Sequence, residues 1–134
     1  MTALHHVALR AVDLDATVRF YREAFGYGAP RVWSYPPYVE KAAFLPAPDG
    51  SWIEIFANGT PAGREEPTEG LVHFALEVDD VEARYERALA AGGTTIAPPA
   101  SFTIEGDPGW DVQLAFVEGP CGERIEIYRT TIEP

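Results

Sequence analysis

The chain has 134 residues and a formal net charge of −11, from 21 acidic and 10 basic side chains. That length suits one compact domain with a sizeable core, and so acidic a surface repels nucleic-acid backbones and anionic lipid, so neither partner is expected. No apolar run approaches the roughly 20 residues of a spanning helix, no secretory leader is visible, and the single Cys121 has no partner for an internal disulfide; a cytoplasmic protein is expected.

The first element is LHHVALRAVDL (4–14), whose alternation reads as a strand running to Asp13. Asp13 then suits a helix N-cap, because its carboxylate can accept the free backbone N–H groups of a first turn. Leu14, Val18, Tyr21 and Phe25 follow as the apolar stripe of that helix, and Gly26 suits its left-handed stop. RVWSYPPYVE (31–40) reads as strand interrupted by two prolines. AAFLPAPDGSWIEIF (42–56) then reads as a hairpin turning at PAPDGS.

After a linker at about 61–69, LVHFALEVDDV (71–81) opens the same series again. Asp80 is its N-cap, Val81, Tyr85 and Ala88 its helical stripe, and Gly93 the expected stop. PPASFTIEGDPGW (98–110) is rich in Pro and Gly and reads as a loop. LAFVEGPCGERIEIY (114–128) closes the chain as a second hairpin, turning at EGPCGE.

At an offset of 67 residues, Leu4, His6, Ala8, Leu9, Asp13, Ala16, Ala24 and Gly26 fall on identical residues from Leu71 to Gly93. At an offset of 72, Ala43, Phe44, Pro48, Gly50, Ile53, Glu54 and Ile55 fall on identical residues from Ala115 to Ile127. Turn residues match along with apolar ones, which chance similarity between strands does not produce. The expected fold is therefore α+β, with two tandem βαβββ modules forming a cupped mixed sheet. Module one covers about 1–60 and module two about 70–134 of a single domain.

Strand alternation then sorts the side chains. Val72, Phe74, Leu76 and Val78 form one apolar face for the helix, leaving His73, Ala75 and Glu77 on the other. The matching positions put His5, Val7, Leu9 and Ala11 on the helix side and His6, Ala8 and Arg10 opposite. Glu54 and Glu126 each stand between two isoleucines in mid-strand, which faces them away from the core. A buried carboxylate without a partner costs several kcal/mol, and a carboxylate on an exposed sheet face is the plain alternative. What that alternative leaves unexplained is the recurrence of histidine and glutamate at matched points. A sheet curled around a polar cavity brings His6, Glu54, His73 and Glu126 together as N₂O₂ ligands, suited to Ni²⁺, Co²⁺, Zn²⁺, Mn²⁺ or Fe²⁺ rather than Ca²⁺. Cys121, in a turn with no base nearby in sequence, reads as inert.

HHVALRAVDLDATVRFYREAFG (5–26), closed by WIEIF (52–56) and RIEIY (124–128), resembles the vicinal oxygen chelate superfamily over nearly the whole chain. That superfamily includes glyoxalase I, methylmalonyl-CoA epimerase, fosfomycin-resistance transferases, extradiol dioxygenases and bleomycin-binding proteins. The resemblance implies a cupped sheet per module, one divalent metal per site and a homodimer, with modules that in many short members pair across chains. The set His6, Glu54, His73 and Glu126 is similar to that of short bacterial glyoxalase I, and Arg10 and Asn58 match positions that contact substrate there.

The resemblance further implies a lyase or isomerase using enediolate chemistry on a small substrate with two adjacent oxygens, such as the thiol hemithioacetal of an α-oxoaldehyde. Glu126 is then the first choice as the catalytic base and Glu54 the second, with Phe56, Trp110 and Tyr128 against the substrate and Trp110 as part of a lid. The other readings are another isomerase, epimerase or dioxygenase of the superfamily, or a drug- or metabolite-binding protein whose cup is walled by aromatics such as Trp33, Tyr35, Trp52 and Phe56.

Overall fold

The computed structural model describes residues 4–37, 39–57, 71–104 and 109–131. Module one runs β1 (His6–Arg10), α1 (Leu14–Phe25), β2 (Arg31–Tyr35), β3 (Val39–Pro46) and β4 (Trp52–Phe56). Module two runs β5 (Phe74–Glu77), α2 (Val81–Ala90), β6 (Thr94–Ile104), β7 (Trp110–Glu118) and β8 (Arg124–Thr130). Each builds its own four-stranded sheet, in the orders β1-β4-β3-β2 and β5-β8-β7-β6. The first strand pairs parallel with the last and the other pairs are antiparallel, so both sheets are mixed.

The duplicated caps behave as their chemistry requires. Asp13 and Asp80, both extended, accept the backbone N–H of Ala16 and Ala83, each at 3.0 Å. The helix ends differ. Gly26, at φ 74°, closes α1 with a bond from its N–H to the Arg22 carbonyl. In α2 the left-handed residue is Gly92, at φ 108°, rather than the expected Gly93. Gly92 and Gly93 donate to the carbonyls of Leu89 and Ala88, the paired bonds of a Schellman stop. Gly93 is required for another reason: a Cβ there would lie 2.9 Å from the Ala88 oxygen and 3.2 Å from Phe20 Cε2.

Two further expectations are corrected. Most of PPASFTIEGDPGW is strand, since β6 runs from Thr94 to Ile104 at the edge of its sheet. Pro98 and Pro99 fall where the β6–β7 register shifts between Ala97 and Ala100, which spares a ladder that prolines cannot join. Trp110 accordingly starts β7, opposite Ile104, and is not part of a loop lid. The prolines of RVWSYPPYVE, by contrast, sit between β2 and β3 as the interruption suggested. The linker at 61–69 and Asn58 lie outside the described residues.

One core serves both modules. Ile53 and Ile55 from β4, Ile125 and Ile127 from β8, and Phe20, Tyr21, Ala24, Val81 and Ala88 from the helices are all buried in it. The helices pack on each other as well as on their own sheets. That second contact, together with the β7–β8 turn against Thr17, explains why α1 buries Thr17, Phe20 and Ala24 beyond the single stripe read from its periodicity.

Module two also reaches across to α1. The Tyr21 hydroxyl donates to Glu123 Oε2 at 2.7 Å, and the Cys121 N–H donates to Glu123 Oε1 at 2.8 Å. Thr17 Oγ1 lies 3.6 Å from Cys121 Sγ. The Glu123 side chain lies against Gly119, where any side chain would run into the carboxylate. Burial, followed by the Glu123 charge, pushes the Cys121 thiol up to about 11, so it stays protonated and unreactive, as expected of it.

Candidate metal centre

The alternation that buries the isoleucines turns Glu54 and Glu126 to the opposite face of each sheet, where each retains only 8% exposure. On that face His6, Ala8 and Arg10 of β1 run beside Trp52, Glu54 and Phe56 of β4, in direct register. In module two, His73 precedes β5, and Ala75 and Glu77 run beside Glu126 and Tyr128 of β8. Each sheet thus carries one histidine and one glutamate on its cup floor, with an alanine beside the glutamate.

The two pairs differ in closeness. His73 Nε2 lies 2.8 Å from Glu126 Oε2, within hydrogen-bonding distance. His6 Nε2 lies 3.8 Å from Glu54 Oε1, too far for a hydrogen bond. Sequence reasoning missed the walls that hold these rings. His6 stands edge-on to Phe44 at 5.3 Å between centroids, and His73 edge-on to Phe116 at 5.1 Å. Both phenylalanines were visible as a matched pair, and both pair in register with the glutamate of their module.

His5 also corrects the sequence reading. It lies ahead of β1 and exposed, not packed on the helix side; its ring meets His6 at 5.2 Å and Phe44 at 6.5 Å. Val72, the residue matched to it, is likewise exposed rather than core. Strand alternation governs neither residue, because both precede their strands.

Of the residues read as substrate contacts, Arg10 and Phe56 face each other across β1 and β4 on the module-one cup. Trp33 stands edge-on to Phe56 at 6.0 Å, and its buried indole N–H has no acceptor among the described residues. Tyr128 and Trp110 belong to the other sheet. Arg31 stacks over Trp52, its guanidinium carbon 5.5 Å from the ring centroid.

Among the described residues, no group of three or more His, Cys, Asp or Glu side chains converges on one point of the chain. The two His–Glu pairs are therefore separate candidate half-sites. Each fits half of a divalent-cation shell by its chemistry, one imidazole nitrogen with one carboxylate oxygen on a partly shielded floor.

Two mixed βαβββ sheets, each with a His–Glu pair on its cup, define the class, and residues 3–127 match the family model of the Glyoxalase/Bleomycin resistance protein/Dioxygenase superfamily. The chain belongs to that superfamily. It is 32% identical to the lactoylglutathione lyase of Haemophilus influenzae over 134 aligned positions, covering 90% of this chain and 87% of that protein. Its fold superposes on glyoxalase I from Zea mays with a TM-score of 0.69 at 25% identity, across 98% of this chain and 46% of the maize chain. A fosfomycin resistance protein from Listeria monocytogenes, solved with Mn(II) and sulfate, shares the fold at a TM-score of 0.70 and 18% identity, over 98% of this chain and 95% of that one.

Proposed function

We propose that this protein is a divalent-metal-dependent lyase or isomerase of the glyoxalase I type. Its substrate is a small molecule with two adjacent oxygens, such as the thiol hemithioacetal of an α-oxoaldehyde. The observation that carries the reading is the pairing of histidine with a shielded glutamate on both cups. The likeness to lactoylglutathione lyases along most of both chains supports the reaction class.

His6 and Glu54 of one copy and His73 and Glu126 of a second would complete the shell, because one chain leaves the halves apart. Edge strands β1 and β5, flanked by exposed Leu4, Val12, Leu71 and Val72, supply an apolar rim for that homodimer. A bound Ni²⁺, Co²⁺, Zn²⁺, Mn²⁺ or Fe²⁺ would supply Lewis acidity toward the two substrate oxygens, which acidifies the C–H of the hydroxyl-bearing carbon next to the carbonyl.

The rest is work for the chain's own residues. Glu126 takes the carbon-bound proton and returns it to the neighbouring carbon, with Glu54 as its counterpart. Arg10 offers a cation to an anionic arm of the substrate, and Asn58 lies next to that wall in sequence. Phe56, Tyr128 and Trp110 flank the reacting carbons, and Phe44 and Phe116 pack edge-on to the imidazoles. A cytoplasmic setting suits a chain in which no helix of the described residues is long and apolar enough to cross a membrane.

Mixing two inactive variants tests the shared shell. His6→Ala and His73→Ala are each expected to lose activity. A remixed population restores about one quarter of wild-type turnover, because half the dimers are mixed and each mixed dimer keeps one intact site of two. No recovery on mixing, with dimers exchanging, overturns the shared site. Wild-type protein that binds no divalent cation overturns the metal reading altogether.

A further inference from the structure

We propose that His5 is a positioning residue for the metal site, accepting a hydrogen bond from His6 and so fixing which His6 nitrogen is free to ligate. The inference rests on the metal reading above and concerns a residue outside the four ligands.

The geometry divides the two nitrogens of the His6 ring between two neighbours. Nε2 faces Glu54 Oε1 at 3.8 Å, while Nδ1 lies 2.9 Å from Nδ1 of His5. Two imidazole nitrogens at that distance share one proton, so one ring donates and the other accepts. If His5 donates, His6 must carry its proton on Nε2, pointing at Glu54, and has no lone pair for a cation. If His6 donates, its proton sits on Nδ1, and Nε2 turns a lone pair toward Glu54. Only the second arrangement supports ligation, and it needs an acceptor where His5 Nδ1 stands.

The His5 ring is held for this task. Its carbonyl accepts the Trp52 N–H at 2.9 Å, which pins the backbone to β4. Its ring lies against both His6 and Phe44. The repeat supplies an internal control, because Val72 occupies the matching place beside His73 and offers no acceptor side chain. The two half-sites therefore differ beside the imidazole Nδ1: His5 stands next to that of His6, whereas Val72 offers His73 no acceptor side chain.

The test measures Co²⁺ affinity by chelator competition in wild type, His5→Phe and His5→Asn. Phenylalanine keeps the ring packing on Phe44 and removes the acceptor. Asparagine places an amide oxygen at nearly the position of the imidazole Nδ1. Expected is a loss of about 10- to 100-fold in His5→Phe, with recovery of most of it in His5→Asn. Nitrogen-15 NMR of the metal-free wild type should show the His6 proton on Nδ1. Unchanged affinity in His5→Phe, equal weakening in both variants, or a His6 proton found on Nε2 overturns the proposal. Wild type that takes up no cobalt overturns the metal reading, whereas uptake that His5→Phe leaves unchanged overturns this inference alone.

Discussion

The two modules repeat their chemistry and diverge in how each meets the other. On the cups, His6 and His73, Glu54 and Glu126, and Phe44 and Phe116 coincide in both sequence and placement. Behind the sheets the matched positions differ. Tyr21 of α1 reaches Glu123 in the β7–β8 turn, whereas its counterpart in α2 is Ala88, opposite a β3–β4 turn carrying Ser51. The tyrosine side is closed by hydrogen bonds. On the other side lies a cleft of about 760 Å³, lined by Arg84 and Arg87, Tyr27 and Asp49, and reaching His6. The proposed cation shell, built from two halves, requires matched donors. A junction between modules requires only that its volume and polar groups be satisfied somewhere, so it is free to differ.

The largest effect expected from breaking the likeness of the half-sites falls on turnover. Glu126→Gln should lower kcat by about 10²- to 10⁴-fold while retaining bound cation, the signature of a lost general base. Glu54→Gln should act mainly on cation affinity. Steady-state kinetics with metal analysis of both variants decides the assignment. If Glu54→Gln shows the kcat loss with metal retained, the roles of the two glutamates are exchanged.

A smaller effect distinguishes the two junctions. Tyr21→Phe strips a buried carboxylate of a hydroxyl donor and should cost about 1–3 kcal/mol of stability. Arg84→Ala removes a single 3.4 Å bond to the Ala24 carbonyl and should cost well under about 1 kcal/mol. Urea unfolding of the pair measures the difference. Equal losses would mean that the tyrosine side is no tighter than the cleft side.

Much of this molecule is legible in its sequence because duplication makes the chain its own alignment. Asp13 and Asp80, matched at a distance of one repeat, mark both helix starts, and the isoleucines around Glu54 and Glu126 set both strand faces. Legibility fails where a residue answers to something other than its own element. His5 lies outside β1, so alternation misplaced its ring. Gly93 is a glycine because of Phe20 and the Ala88 carbonyl, a contact no helix-end rule contains. Pro98 and Pro99 looked like loop, but an edge strand with a shifted register accommodates them. The separation of the His–Glu pairs is a matter of how modules pack, and one chain's pattern cannot fix it.

The smallest expected effect concerns the charge enclosed at the tyrosine side. Burial raises the Glu123 pKa, while the bonds from Tyr21 and the Cys121 N–H act to lower it. Burial is the larger influence, so the folded chain holds the Glu123 proton to higher pH than the unfolded chain does. The folded state then binds more protons in the window from about 4.5 up to the raised folded value. Stability from this group is fully present below that window and is lost as pH rises through it. Glu123→Gln should remove that part of the dependence. The wild-type unfolding free energy minus that of the variant should decline as pH rises through the window and level off above it. Urea titrations at closely spaced pH values measure the slope. A difference that rises with pH would mean that the two donated hydrogen bonds outweigh burial, and that the turn is held by an ionised carboxylate favourable in the fold.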